Sequence, residues 1–215
     1  MSRRPRSTYA NRVHAGRMLA RRLDHLRGLP DVLVLALPRG GVDVAVPVAD
    51  YVGAPLDLLV VRKLGVPGQP ELAAGAITGD GQLVTNPDVV RATGTTDEQL
   101  AEVAAAETRE LARREAVYRA GRPPLEVAGK TVVLVDDGVA TGATARAGLL
   151  ALRSRGAARI VVAVPVGPGD VAELFPDADE VVCPSRPPYF TGVGAAYDDF
   201  AQLTDEHVQQ VMKHC

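Results

Sequence analysis

Short runs of apolar residues alternate along this chain with longer stretches of mixed polarity. Each run is rich in Val and Leu and only four to seven residues long, which is typical of a strand covered on both faces. Such runs predict five strands, at residues 31–37, 55–61, 131–135, 159–164 and 180–183.

The stretches between these runs predict helices. The first covers residues 8–27, where apolar side chains recur about every three to four residues and Gly28 ends the pattern. Its apolar stripe consists of Val13, Met18, Leu19, Leu23 and Leu26. Further helices are expected up to Tyr51, over 96–120, up to about Arg155 and from about Thr204. Strands that alternate with helices predict an α/β fold, with a central, mostly parallel sheet flanked by helices.

The segment after the second run interrupts this alternation. Residues 64–75 contain three clusters of Gly or Pro, which predict a mobile loop. Residues 76–85 contain two short apolar runs around Gly-Asp-Gly, which predict a hairpin. Helix 96–120 is rich in charged residues, so we expect mainly a solvated surface there, with part of a dimer contact as the alternative.

Composition narrows the class of protein. The chain has 215 residues, of which 47% are hydrophobic, so a single domain over residues 1–215 can bury a core. Its net charge of −2 argues against a general nucleic-acid binder, and no apolar run approaches the ~20 residues that cross a bilayer. With two cysteines and no apolar leader, we expect a cytoplasmic protein with neither nucleic-acid nor membrane partners.

The most informative segment follows the third predicted strand. Asp136 and Asp137 come directly after the apolar residues 132–135, and a loop of small residues and threonines follows them. That loop consists of Gly138, Val139, Ala140, Thr141, Gly142, Ala143 and Thr144. Small residues let the backbone approach a ligand, and the next helix offers free N–H groups to phosphate. Because carboxylates accept hydrogen bonds from ribose hydroxyls, this order predicts a sugar-phosphate site. An ordinary βα turn is the alternative, but buried acids without a partner are costly.

This segment resembles the signature of type I phosphoribosyltransferases that binds phosphoribosyl pyrophosphate (PRPP). The signature has four apolar residues, two acids and a loop that ends in Thr-Gly-x-Thr. The match covers residues 132–144 with one departure, Gly138, where the family more often has an aliphatic residue. The resemblance implies that Asp136 and Asp137 hold the ribose hydroxyls and that residues 140–144 hold the 5′-phosphate.

The resemblance also implies a role for two further loops. Arg39, Gly40 and Gly41 follow the first strand, where the family has its pyrophosphate loop. The two glycines permit unusual backbone angles, and Arg39 offers paired donors to phosphate. Arg62 and Lys63 close the second strand, where several members contact pyrophosphate with a basic residue. The flap implied at about 63–76 includes Glu71, and a solvated strand end is the alternative for the two cations.

Residues 183–200 contain four of the eight Phe and Tyr residues of the chain. They resemble the hood of hypoxanthine-type members, in which an aromatic side chain stacks on the base, so Tyr189 or Phe190 would bind the acceptor. A satellite core that holds the chain end is the alternative. Ala196 stands where an acid is expected and residues 164–167 contain no Lys, so the identity of the acceptor stays open.

Over residues 8–210 the chain resembles an uncharacterised bacterial branch of the family. Besides the signature, the resemblance depends on the strings Asn-Arg-Val-His-Ala-Gly near the N-terminus, Arg-Lys-Leu-Gly, and Tyr-Asp-Asp-Phe near the C-terminus. It implies one domain, with its core at about 28–165, its flap at about 63–76 and a small hood at about 166–203 plus the N-terminal helix.

The resemblance also implies an activity. It points to a Mg²⁺-dependent transferase in a homodimer, with PRPP and a small nitrogenous acceptor as partners. Catalysis would depend on Asp136, Asp137, Arg39 and Lys63. PRPP itself would hold the Mg²⁺, with the two aspartates as optional ligands. A non-catalytic sensor of PRPP or a nucleotide, and a ribose-phosphate hydrolase or a transferase with a non-base acceptor, remain open alternatives.

Overall fold

The computed structural model describes residues 8–79 and 81–213, without the side chains of Pro70, Glu71 and Ala106. Its helices are α1 (Arg12–Ala20), α2 (Gly41–Val52), α3 (Pro87–Thr93), α4 (Asp97–Arg119), α5 (Ala143–Ser154) and α6 (Asp205–Met212). Its strands are β1 (Val32–Ala36), β2 (Leu56–Leu58), β3 (Val61–Val66), β4 (Gln69–Thr78), β5 (Leu83–Thr85), β6 (Thr131–Val135), β7 (Arg159–Ala163) and β8 (Glu180–Val182). Short 3-10 helices cover Arg21–Leu26, Val171–Leu174 and Val193–Ala196.

The central sheet has five parallel strands in the order β2-β1-β6-β7-β8, with helices on both faces. The predicted α/β class is therefore confirmed. Alternate residues of each strand enter opposite cores: Val34 packs on one face and Leu33 and Leu35 on the other. Burial on both faces explains why the strands appear in the sequence as continuous apolar runs.

The parallel arrangement places the loops after β1 and β6 side by side. These two strands are neighbours, and the amide of Leu37 donates to the carbonyl of Val135 at 2.8 Å. The segments that follow, Pro38–Gly41 and Asp136–Gly142, therefore start at adjacent points on the same edge of the sheet. This is the edge at which ligands bind in α/β sheets.

The segment 55–85 differs from its prediction. The apolar run at 55–61 is divided, because the chain leaves the central sheet after β2 and enters a second sheet of antiparallel strands, β3-β4-β5. Residues 64–75 belong to this sheet instead of forming a mobile loop. The turn at its tip is Pro67-Gly68, where Gly68 has a φ of 80°. The predicted hairpin at 76–85 is confirmed, with Ala76 opposite Val84.

The first helix also differs from its prediction. Its regular part, α1, ends at Ala20 and continues as the 3-10 helix. Leu19, Leu23 and Leu26 are fully buried as predicted, but Val13 and Met18 are exposed. The buried face of α1 instead includes Arg12, which lies beside the candidate site described below.

Helix α4 is more than a solvated surface. Thr96 caps it in a reciprocal capping box with Gln99, which confirms the predicted start. One face is buried, and its apolar residues are Leu100, Ala104, Leu111 and Tyr118. Its C-terminal end is tied to β2, because the buried Arg119 donates to both carboxylate oxygens of Asp57 at 2.7 and 2.8 Å. These contacts fix the position of α4 relative to the central sheet.

Candidate functional site

Two adjacent carboxylates stand at the end of β6. Asp136 and Asp137 are both half-buried, and the amide of Asp137 donates to Oδ1 of Asp136 at 2.8 Å. Burial raises the pKa of both carboxyls, and for Asp136 the neighbouring carboxylate raises it further. Burying two adjacent carboxyl groups lowers the free energy of unfolding. The pair therefore favours a partner that brings hydroxyl donors or positive charge.

A residue that the sequence analysis missed holds the second acid. Nε of Arg12 donates to Oδ2 of Asp137 at 2.8 Å, and its Nη1 donates to the carbonyl of Ala201 at 2.9 Å. The Arg12 guanidinium also lies 4.0 Å from the ring centroid of Phe200. The ring of Tyr197 stacks on Phe200, and the Tyr197 hydroxyl donates to the carbonyl of Asp137. Helix α1 and the C-terminal segment thus meet at the signature acid.

The sequence contained a signal for Arg12. Arg12 belongs to the string Asn-Arg-Val-His-Ala-Gly and its aromatic neighbours belong to Tyr-Asp-Asp-Phe, the two strings that suggested the resemblance to one branch of the family. The two strings and Asp137 are far apart in the chain. Periodicity reports only on neighbours in the sequence, so the pair Arg12–Asp137 could not be deduced from it.

The loop after the acids forms a cradle at the start of α5. Gly142 is the N-cap residue, with a φ of 73°, and no acidic residue lies in the first turn. The first helical hydrogen bond runs from the amide of Arg146 to the carbonyl of Gly142, so the earlier amides have no partner within the helix. A cavity of about 130 Å³ is lined by Asp136 and Gly138–Ala145. Exposed Thr141 and Thr144 add hydroxyls, which makes the cradle suitable for a phosphate.

Gly138, the departure from the family signature, has a steric explanation. A Cβ at this position would lie 2.5 Å from Cγ1 of Val193 and 2.8 Å from Cγ1 of Val166. Val193 begins a 3-10 helix of the C-terminal segment. This segment therefore occupies the space that an aliphatic side chain on the loop would fill.

The loop after β1 packs directly on the acids. A Cβ on Gly40 would lie 2.0 Å from Oδ2 of Asp137, and a Cβ on Gly41 would lie 2.5 Å from the carbonyl oxygen of Val135. Gly40 has an ordinary φ of −60°, so the expectation of unusual backbone angles is wrong there, and the two glycines are needed for close approach. The peptide between Pro38 and Arg39 is cis. Nη1 of Arg39 lies 3.8 Å from Oδ1 of Asp205.

Arg62 and Lys63 lie within β3 and not at the end of a central strand as predicted. They nevertheless face the predicted site. A cavity of about 640 Å³ is lined by both cations, by Pro38 of the loop after β1, and by Ala143 and Thr144 of the cradle. Nε of Arg62 donates to Glu107 of α4 at 2.8 Å. The antiparallel sheet thus takes the place that the prediction assigned to a flap. The side chain of Glu71 is outside the described part of the chain.

The aromatic residues of the C-terminal segment contribute to a small core and to an apolar cavity, and Phe190 takes part in both. Tyr197 and Phe200 pack with Tyr9 in a small core, as the alternative of a satellite core requires, and Phe190 also packs against this core. Tyr189 is 89% exposed, and Phe190 is half-buried. Both line an apolar cavity of about 340 Å³ together with Pro187, Pro188 and Gly192. The two predicted base-binding residues are therefore near each other and outside the cavity that Arg62 and Lys63 line.

Asp136 and Asp137 are the carboxyl groups of the site that can bind a divalent cation brought by a ligand. Among residues 8–79 and 81–213, no group of three or more His, Cys, Asp or Glu side chains is arranged to hold a metal ion. Asp136 and Asp137 can supply hard oxygen ligands, which fit Mg²⁺ when a substrate supplies the others. Within the same ranges, no helix is long and apolar enough to cross a membrane.

Comparisons with known proteins agree with this geometry. The model of the phosphoribosyl transferase domain family matches residues 9–199. A protein from each of two Mycobacterium tuberculosis strains, CDC 1551 / Oshkosh and H37Rv, is 50% identical over 201 residues, and its name assigns it provisionally to the phosphoribosyl transferases. The match covers 93% of this chain and 45% of theirs, so the chain spans about half the length of these curated relatives.

A solved structure shows the same fold over nearly the whole chain. The protein TT1426 from Thermus thermophilus is 44% identical, with a TM-score of 0.88, and the match covers 96% of this chain and 98% of that one. The family model covers most of the present chain, including both acids, the cradle and the loop after β1. This chain therefore belongs to the phosphoribosyl transferase family.

Proposed function

We propose that this chain binds PRPP with Mg²⁺ and transfers its ribose 5-phosphate group to a nitrogenous acceptor, releasing pyrophosphate. The observation that carries the proposal is the convergence of two loops, with three kinds of chemistry, at one sheet edge. Asp136 and Asp137 lie beside the cradle of α5, and the loop with Arg39 packs on Asp137. A sugar phosphate that carries a pyrophosphate on C1 matches these three chemistries.

Each part of the site has a role in this reaction. The backbone amides at the start of α5 and the Thr141 and Thr144 hydroxyls would bind the 5′-phosphate. Asp136 would accept hydrogen bonds from the ribose hydroxyls, while Arg12 fixes the neighbouring carboxylate of Asp137. Arg39 and Lys63 would neutralise the leaving group. Bound Mg²⁺ would supply further positive charge to the pyrophosphate.

The bond changes are a substitution at C1. The C1–O bond to pyrophosphate breaks and its electron pair leaves with the pyrophosphate. A nitrogen lone pair of the acceptor forms the C1–N bond, and the acceptor nitrogen then loses a proton. Positive charge develops on the ribose as the first bond breaks, and the two carboxylates would stabilise it. Positioning and electrostatics are sufficient, so no protein nucleophile is required.

The acceptor is proposed to bind in the cavity of about 340 Å³ beside Tyr189 and Phe190. Its lining offers apolar contact and ring faces, which suit a planar, uncharged base. None of the side chains described around it carries a formal charge. That feature also supports a second candidate function, a sensor that binds PRPP or a nucleotide without transferring it. A homodimer and a cytoplasmic location stay predictions, which light scattering and cell fractionation would check.

Calorimetry with PRPP and Mg²⁺ tests the proposal. The wild-type protein is expected to bind, and the double variant Asp136→Asn, Asp137→Asn is expected to lose most of the affinity. Asp170→Asn is the matched control, because Asp170 is exposed and its side chain makes no capping hydrogen bond. Unchanged binding in the double variant would contradict the site.

A second experiment separates the enzyme from the sensor. Pyrophosphate release is measured with purines, pyrimidines and small amines as acceptors. Stimulated release by any of them supports transfer. Tight PRPP binding without stimulated release by any acceptor would favour the sensor.

A further inference from the structure

Helix α4 brings two charged residues to the large cavity at the candidate site. Val103, Glu107 and Arg114 lie on one face of the helix, at spacings of four and seven residues, and all three line the cavity. The side chains of Glu107 and Arg114 are only 32% and 28% exposed. The lining also includes Pro38 from the loop after β1 and Ala143 and Thr144 from the cradle.

The charge on the walls of this cavity is predominantly positive. Arg62, Lys63 and Arg114 line it together with a single acid among its described residues, Glu107, which pairs with Arg62 at 2.8 Å. Three positive charges and one negative charge give a formal sum of +2. A cavity with this balance favours an anion with several charges.

Arg114 is also linked to the loop that contains Arg39. Nε of Arg114 donates to Oε1 of Glu110 at 2.7 Å, and Glu110 also accepts from Arg113. Arg113 donates to Asp205 at 2.8 Å, and Asp205 lies 3.8 Å from Arg39. A continuous chain of ion pairs therefore connects Arg114 to Arg39.

We infer that Arg114 is a pyrophosphate-binding residue, supplied to the site by α4. This inference rests on the proposed function and deepens it. Arg114 would bind the pyrophosphate of PRPP together with Arg39, through the donors of its guanidinium that remain after the bond from Nε to Glu110. Arg62 would bind the same anion in the same way, since its Nε is paired with Glu107. The assignment follows from the position of α4 beside the cavity.

The test measures binding of PRPP, inorganic pyrophosphate and ribose 5-phosphate by calorimetry. Arg114→Gln is compared with Arg109→Gln, an exposed arginine on the same helix. Loss of a charge-assisted hydrogen bond to the anion should weaken PRPP and pyrophosphate binding about ten-fold or more relative to the control. Binding of ribose 5-phosphate should stay within about two-fold, because it lacks the pyrophosphate.

Two outcomes would overturn the inference. Arg114→Gln could bind pyrophosphate as tightly as Arg109→Gln, or it could lose affinity for pyrophosphate and ribose 5-phosphate equally. Either result is distinct from failure of the proposed function, which would appear as absent PRPP binding in the wild-type protein.

If Arg114→Gln does not fold, Glu110→Gln decides the question. This variant removes the acid that pairs with Arg114 and releases its guanidinium, so pyrophosphate should bind about three-fold more tightly. Misfolding cannot imitate a gain in affinity. An unchanged or weaker affinity would then overturn the inference.

Discussion

Replacing Arg12 by Met tests how the chain tolerates its buried acids. The substitution keeps most of the apolar stem and removes the charge. The side chains of Arg12 and Asp137 are 9% and 15% exposed, so the pair is largely shielded from water. Removing one partner of a buried pair typically costs about 3–5 kcal/mol of the free energy of unfolding. We expect a value of about 3 kcal/mol, at the lower end, because the raised pKa of Asp137 lets the abandoned carboxyl take up a proton.

This protonation gives the prediction a pH dependence. Burial raises the pKa of Asp137, and the guanidinium of Arg12 opposes that rise. The attraction between the two exists only while the carboxyl is ionised. Without Arg12 the pKa of Asp137 should rise further, so the cost of the substitution is largest at neutral and alkaline pH. It should shrink as the pH falls and Asp137 becomes protonated in both proteins.

Urea and thermal denaturation at pH 8 and pH 5 measure the effect. At this chain length a loss of 1 kcal/mol lowers the melting temperature by about 2–4 °C, so a fall of roughly 6–12 °C is expected at pH 8. Arg17→Met is the control, since Arg17 is exposed on the same helix, and it should behave like the wild type. In the background Asp137→Asn, replacement of Arg12 should cost much less. A cost for Arg12→Met that equals the control, or that is independent of pH, would refute the reasoning.

Contacts around the acids give three further predictions. Gly138→Val should lower the free energy of unfolding by about 1–3 kcal/mol in urea denaturation, because the new side chain would collide with Val193. Unchanged stability would show that the C-terminal segment moves aside. Arg39→Ala should weaken binding of PRPP and pyrophosphate more than that of ribose 5-phosphate in calorimetry, whereas equal losses would mean that the loop after β1 does not bind the leaving group. Asp136→Asn should weaken PRPP binding yet increase stability at neutral pH. The raised pKa of Asp136 means that its ionisation opposes folding, so the gain should grow as the pH rises above the ordinary Asp value of about 3.9. Parallel stability curves of variant and wild type from pH 4 to 8 would contradict it.

Most of the central sheet and its ligand-binding edge could be predicted from the sequence. A strand that is buried on both faces is continuously apolar. The run before Asp136 therefore predicted both ends of β6 correctly. The strand ending at Ala36 and the capping box at Thr96 are likewise local signals. Apart from the hairpin at 76–85, the second sheet was not predictable in this way. Pro67-Gly68 makes a turn and not a loop only because Leu64 and Ala74 find burial against other elements.

The sequence by itself determined that acids, a cradle of small residues and a Gly-Gly loop stand at strand ends, because each of these depends on residues close together in the chain. Only the tertiary structure decided which side chains complete the site. Arg12 reaches Asp137 across 125 residues, and Arg114 lines the cavity from a helix whose charge predicted a solvated surface. The physical reason is that burial and ion pairing depend on distances in space. The sequence shows that a residue is arginine, but it does not show whether the side chain faces water or a buried carboxylate.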